Sequence, residues 1–490
     1  MTSIDLLIKN ARVVRPGSDA PEDGELLDLA ISDGKFVRIE ENIPVDGAAE
    51  VVDAEGKLVF PGVVDAHQHW GIYNPLGEDA GVESRACAQG GVTTSLSYMR
   101  TGQYYMNKGG AYADVFPEVL AETEGRPYVD YAYHLAPMSK AQIGEIPSLI
   151  EDHGVTSFKI FMFYGSHGLH GRSSDQSEFL MIPKDERYDI AHFEFVMRGI
   201  QAAREQLGEK ADHISLSLHC ETAEIMSAYT KLVEEEGALT GLAAYSASRP
   251  PHSEGLAVTI ASFLADETQL PNINLLHLTS RKALTAAMRM AKAFPHINFR
   301  REVTIGHLLA DIDTAYGLGG KVNPPLRPRD DVEALWDHLV AGDIDWVVSD
   351  HACCKDEKKF AADNRDDIFA AKSGFGGAEY LLPGLLTEGR KRGLSLRRIA
   401  ELTSLNPAER YGLPGKGRIE VGFDADIAVV DPDATYTVRA EDSESAQEYT
   451  PFEGFELAAK VTDTFVRGNR VLTDGAVTGE PVGRYLHRPY

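Results

Sequence analysis

Pro61-Gly62-Val63-Val64-Asp65-Ala66-His67-Gln68-His69 decides how the rest of the chain is read. It is a short apolar strand ending in two histidines one residue apart. Alternate strand residues point to one face, so both imidazoles leave on the same side, roughly 6–7 Å apart along the backbone. Two neutral imidazoles so placed can bind one metal ion at about 2 Å each. Such a pair is more often two unrelated surface or core residues, so the other strands must decide.

Downstream, strand-like runs alternate with helix-length amphipathic segments, the pattern of a parallel sheet. Including residues 63–69 there are eight, the others at 93–99, 128–136, 156–163, 213–220, 273–279, 297–303 and 344–350. Helices are expected at 189–207, 253–267, 281–293 and 330–341, with two more helical stretches at about 377–392 and 395–411. Eight β/α units fit a closed (β/α)8 TIM-like barrel better than an open doubly wound sheet, which would carry a Gly-rich phosphate loop after its first strand. The barrel is assigned to residues 61–412. Residues 1–60 and 413–475 are short strands punctuated by turn signals, each too small for a core of its own. They are expected to join as one small composite β-sandwich. Residues 476–490 form a tail, either frayed or docked on a neighbouring subunit.

A barrel does its chemistry where its strands end. The first strand delivers His67 and His69, the fifth His219, the sixth His277 and the eighth Asp350 and His351, while Lys159 stands inside the apolar fourth strand. A single such histidine would read as a satisfied core residue. Five strands delivering nitrogen and oxygen donors to one mouth read as a metal centre. A buried lysine is pushed toward its neutral amine, which can take up CO2 as an anionic carbamate able to bridge two cations. Its alternative is an ion pair with Asp350 or Glu221.

The totals exclude several classes. A net charge of −27 argues against nucleic acid or an anionic membrane as partner. There is no apolar run of membrane-spanning length, and the N-terminus lacks the pattern of a signal peptide. The four cysteines include no CxxC pair and suggest reduced thiols. The reading is a cytoplasmic protein.

Taken together, these motifs resemble the dihydropyrimidinase and hydantoinase (cyclic amidase) branch of the amidohydrolase superfamily, over nearly the whole chain. The likeness is carried by Asp5–Val14, Pro61-Gly62 with His67-Gln68-His69, and Gly90-Gly91-Val92-Thr93-Thr94. It continues through Phe158-Lys159-Ile160-Phe161-Met162-Phe163-Tyr164, Ser248-Arg249-Pro250-Pro251, Lys321–Arg327, Ser349-Asp350-His351, Asn406-Pro407-Ala408 and Gly422–Asp426. The resemblance implies a binuclear site. His67, His69 and Asp350 would hold one divalent ion, His219 and His277 the other, with carboxylated Lys159 bridging them. Zinc suits the imidazole-rich set, and manganese or cobalt would fit. Asp350 would shuttle the proton and Tyr164 would stabilise the oxyanion. A small-molecule amide is the implied partner and a homodimer or homotetramer the implied assembly.

The likeness departs at the substrate end. Gly71 stands where dihydroorotases carry an arginine, Val303-Thr304-Ile305-Gly306-His307 replaces the stretch expected after strand 7, and Lys372-Ser373-Gly374-Phe375-Gly376 replaces a Pro-Asn-Gly segment after strand 8. Trp70, His307, Ser373 and Gly374 are the candidate substrate-binding residues, and Tyr104 and Tyr105 could line the same pocket. Asp65 reads as structural. The leading expectation is ring opening of a dihydropyrimidine or hydantoin. A hydrolase of a linear amide, carbamate, thiocarbamate or urea is the alternative, and a non-catalytic scaffold the remote one.

Overall fold

The computed structural model describes residues 4–17, 19–173, 175–208, 211–360 and 365–490; residues 1–3, where the reading of the N-terminus begins, lie outside them. Eight parallel strands form the central sheet: β1 (Val63–Gln68), β2 (Val92–Arg100), β3 (Asp130–Ala136), β4 (Ser157–Phe161), β5 (Ser215–His219), β6 (Asn272–Leu275), β7 (Asn298–Thr304) and β8 (Trp346–Val348). They run in sequence order around the sheet. The ring closes just past the strand ends, where Gln68 and His351 form a parallel bridge and His69 N donates to His351 O at 2.8 Å. Every residue of β1 to β5 is buried, because the ring interior covers one face and helices the other.

The outer helices carry their own start and stop signals. Asp189 caps Ile190–Leu207 by accepting from Ala191 N and His192 N, and Ser280 caps Arg281–Ala293 by accepting from Ala283 N. Arg329–Ala341 stops at Gly342, whose φ of 87° is left-handed.

Both chain ends build the second layer. Strands Ile4–Val13, Glu25–Ser32, Lys35–Glu40, Ala48–Asp53 and Leu58–Pro61 join Ile427–Asp431, Lys460–Val466, Asn469–Thr473 and Ala476–Val477 in one nine-stranded sheet. The seam is antiparallel, with Phe60 opposite Ala428. Leu6, Ile8, Ile31 and Phe36 from the front of the chain share one buried cluster with Ile427, Val429 and Phe465 from its end. The chain then enters the barrel through Gly62, where a Cβ would lie 2.1 Å from Thr93 Oγ1. Only glycine lets β1 pass that close to β2.

The tail lies on the chain's own barrel floor. Leu486 N donates to Tyr131 O at 2.8 Å, and the buried Arg488 guanidinium reaches Ser157 Oγ at 2.7 Å and Tyr133 O at 2.6 Å. No helix of the described residues is long and apolar enough to cross a membrane.

Candidate active site

The strand ends bring the sequence-derived donors together at the C-terminal mouth. His67 Nε2 lies 3.1 Å from Asp350 Oδ1, and His69 Nε2 lies 3.2 Å from the same oxygen. The two Nε2 atoms are 3.2 Å apart, and Lys159 Nζ is 3.2 Å from His67 Nε2. His277 lies between the other imidazoles, its ring centroid 4.4 Å from that of His219 in an edge-on contact and 5.3 Å from that of His67 in a tilted one. His277 and Asp350 follow the last residues of their strands with φ of 31° and 56°, left-handed values that are costly for non-glycine residues. Such strain persists where the surroundings enforce it, commonly at functional sites.

Burial sets the electrostatics. It holds His67, His69 and His277 well below the usual imidazole range and brings His219 down to about 4, against the pull of Glu221. These rings are therefore neutral near pH 7, the form that ligates metal. Burial likewise lowers the Lys159 amine to about 7, although Asp350 and Glu302 pull it upward. Its Nζ sits 3.9 Å from the centroid of Tyr98. Glu221, the alternative partner for Lys159, instead pairs with Arg249, whose Nε donates to it at 2.9 Å. Against the upward push of burial, that guanidinium draws Glu221 down to about 2.

Three of the four histidines have one ring nitrogen oriented by a partner outside the cluster. His67 Nδ1 meets Glu302 Oε1 at 2.7 Å, His69 Nδ1 meets Tyr105 OH at 2.7 Å, and His219 Nε2 meets Glu221 Oε2 at 2.7 Å. Partners of this kind fix the tautomer and the ring orientation of metal-binding imidazoles. The buried His277 Nδ1 has no hydrogen-bond partner among the described residues. An unpaired buried acceptor beside a carboxylate and two neutral imidazoles is what a cation would satisfy. The donor set thus fits divalent metal: His67, His277 and Asp350 each offer an atom within 4.8 Å of the others. A second buried group of donors, Asp79, Glu83 and Cys353, is satisfied internally. Asp79 accepts from Gly71 N and Asn74 Nδ2, and Glu83 from Ala446 N.

A cavity of about 40 Å³ opens on the cluster. Its walls include His69, Lys159, His219, His277 and Asp350, the apolar Ile72, Phe161, Phe163, Leu169, Val322 and Ala352, and Tyr105, Asn323, Ser373 and Gly374. Ser373 and Gly374 therefore stand at the site. Trp70 and His307 do not line this cavity. Trp70 packs against Tyr131, and His307 is held between Thr304 Oγ1 at 2.7 Å and Pro324 O at 3.0 Å. Tyr164 sits behind the wall, its hydroxyl accepting from Arg100 Nε at 3.2 Å. Asp65 is buried and accepts from Ser349 N at 3.0 Å and Gln68 Nε2 at 2.7 Å, tying β1 to β8.

Sequence reasoning passes over Glu302 as a ligand support and Arg249 as the partner of Glu221. The first lies in Arg300-Arg301-Glu302, which reads as a charged surface run. The second is visible as an arginine before two prolines, with nothing to say what it pairs with.

Comparison with known proteins places this geometry in context. Residues 202–471 match the model of the amidohydrolase family. The chain is similar to an allantoinase of Rubrobacter xylanophilus, with 31% identity over 99% of this chain and 98% of that protein. An allantoinase of Desulfitobacterium hafniense is 30% identical over the full length of both. Among solved structures, the dihydropyrimidinase of Brevibacillus agri superposes with a TM-score of 0.83 at 25% identity, covering 99% of this chain and 98% of that one. A D-hydantoinase of Thermus sp. gives 0.81 at 28% identity, covering 99% of each.

Proposed function

The chain belongs to the amidohydrolase family, in its cyclic-amidase branch, and is a metal-dependent hydrolase of cyclic amides; from this we propose that its substrate is a hydantoin ring. The ring is shared by the allantoinases and hydantoinases among its relatives, since allantoin is a hydantoin bearing a ureido group. The observation that carries the reading is the convergence of His67, His69, His219, His277 and Asp350 with Lys159 at one barrel mouth. In the reaction, water oxygen bonds to a ring carbonyl carbon, the ring C–N bond breaks, and the nitrogen leaves with a proton.

His67, His69 and Asp350 would hold one divalent ion and His219 and His277 a second, with Lys159 as a carbamate between them. Zinc suits these ligands best. When bound, the ions lower the pKa of water and polarise the carbonyl. The chain supplies the rest. Asp350 Oδ1 faces His67 and His69, which leaves Oδ2 to take the proton of the attacking water and return it to the ring nitrogen. The apolar walls at Ile72, Phe161 and Val322 exclude bulk water, while Asn323 and Ser373 offer polar groups to the edge of a ring.

The test is a paired measurement on purified protein: metal content per chain, and hydrolysis of hydantoin, allantoin, dihydrouracil and a linear carbamate. Metal-dependent opening of hydantoin or allantoin is expected. Turnover of the linear carbamate alone would overturn the ring assignment, and a metal-loaded protein inactive on all four would overturn the hydrolase reading.

A further inference from the structure

Where the barrel meets the sheet built from both chain ends there is a second cavity, of about 320 Å³. It shares no lining residue with the catalytic one. Its volume falls in the range of small-molecule sites, about 300–1,000 Å³. Gln89 reaches it from the end of helix Leu76–Gln89, and Glu379 and Tyr380 from the turn Ala378–Tyr380. Tyr436 comes from the short strand Tyr436–Thr437, and Lys460 from strand Lys460–Val466.

Glu379 sets the chemistry of this cavity. The residue is 6% exposed, and its Oε1 accepts from Ser443 Oγ at 2.6 Å. Its Oε2 is buried with no hydrogen-bond partner among the described residues. Burial raises the carboxyl above its usual range, although His351 and Ser443 pull it down. A buried carboxylate oxygen left unpaired is unfavourable, and a donor entering the cavity would relieve it. Burial also raises the hydroxyls of Tyr380 and Tyr436, and the charge of Glu379 raises both further, so the three groups stand together. Aromatic rings beside a carboxylate suit a cation.

The other charges on the walls cancel. Arg439 NH1 lies 2.9 Å from Glu453 Oε1, and in charge count the exposed Lys460 is offset by the exposed Asp442. Glu379 is left uncompensated, so the cavity calls for one positive charge. A guanidinium fork asks for two free oxygens where Glu379 offers one, while an ammonium is a point donor. A divalent metal asks for several donors, and Glu379 belongs to neither buried group that could supply them. The buried Pro383, Val438 and Val461 give the same cavity an apolar wall.

We propose that this cavity binds a small primary amine, its ammonium donating to Glu379 Oε2 and its short alkyl stem lying on Pro383, Val438 and Val461. The inference stands apart from the ring-opening function, since the two cavities share no residue.

The experiment is calorimetric titration of the metal-loaded protein at neutral pH with butylamine, and with butanol and butyrate in parallel. One butylamine per chain is expected, with butanol and butyrate at least about tenfold weaker. Glu379→Gln keeps the shape and removes the charge, and should weaken butylamine by about 10- to 100-fold, the worth of a hydrogen bond to a charged group. Lys460→Met, at the exposed rim, removes a like charge and should tighten butylamine by up to about fivefold. Equal affinity in a folded Glu379→Gln would place the amine elsewhere, the metal centre included, and overturn the inference. Butanol binding as tightly as butylamine would also overturn it, as would weaker butylamine binding in Lys460→Met or no saturable binding at millimolar concentration. Thermal melts report whether Glu379→Gln keeps its fold. If it does not, the butanol comparison and Lys460→Met decide.

Discussion

His67 Nδ1 lies 2.7 Å from Glu302 Oε1 with both side chains fully buried, so a histidine of β1 is oriented by a carboxylate of β7 across the barrel. The same carboxylate also accepts from His277 N at 3.1 Å and from Trp346 Nε1 at 2.9 Å. Three donors, on β1, on β8 and just past β6, meet one buried group, and two of them belong to candidate metal ligands. Ring orientation at the mouth is thus built into the barrel interior beneath it.

Glu302→Gln should loosen metal without unfolding the protein. An amide keeps the shape but must turn its NH2 toward at least one of the three donors, leaving two donors face to face. Loss of such a ligand support typically lowers metal affinity by about 10- to 100-fold. Dialysis of wild type and variant against graded chelator, followed by metal analysis, measures the difference. Equal retention at every chelator concentration would show that Glu302 does not tune the site.

Arg249→Met should destabilise the protein strongly. It strands Glu221, a fully buried carboxylate whose remaining partner is His219. Leaving a buried charge unpaired costs about 3–5 kcal/mol. Denaturant unfolding of the metal-free proteins reads the loss, and the double variant Arg249→Met/Glu221→Leu should recover a large part of it. If the single variant matches wild type, the pair carries no such weight.

Much of the barrel and most of the candidate ligands are legible in the chain. Strand ends deliver side chains with a period of two, and a polar residue inside an apolar run, such as Lys159 in Phe158–Phe163, is conspicuous. What escapes depends on partners far apart in sequence or on side-chain direction. Glu302 is 235 residues from His67, and nothing in Arg300-Arg301-Glu302-Val303 marks the glutamate as inward-facing among charged neighbours. Tyr164 sits five residues past Lys159, yet where its hydroxyl points is decided by Arg100, 64 residues away. Trp70 and His307 read as pocket residues from their proximity to strand ends. Their side chains instead make contacts away from the cavity, Trp70 with Tyr131 and His307 with Thr304 and Pro324.

The metal-free protein should lose stability on mild acidification. His219 is brought down to about 4 by burial, and His67, His69 and His277 are displaced the same way. Between the unfolded value of about 6.5 and these lower folded values, the unfolded state binds more protons, so stability falls as pH falls. A tenfold difference in proton affinity between the folded and unfolded states is worth about 1.4 kcal/mol per group at full effect. Thermal melts of the chelator-stripped protein should therefore show Tm declining from pH 6.5 to 5, before most carboxylates titrate. A flat Tm across that window would mean that the imidazoles are not buried as neutral rings.

Lys159 yields a prediction about how the site is assembled. Burial lowers its amine to about 7, and the free amine is the form that adds CO2. At constant dissolved CO2, the rate at which the stripped protein takes up metal should rise between pH 6 and 8 and level off above that, following the free-amine fraction. An ordinary lysine, with a pKa of about 10.4, would keep gaining about tenfold per pH unit through that range. Native mass spectrometry of the loaded protein should show one extra CO2, absent from Lys159→Ala. That variant should lose metal and activity together, and a short carboxylic acid added to it should restore a part of both by placing an anion where the carbamate would lie. Full metal loading of Lys159→Ala in CO2-free buffer would remove the lysine from the site's assembly and leave it as a neutral amine packed over Tyr98.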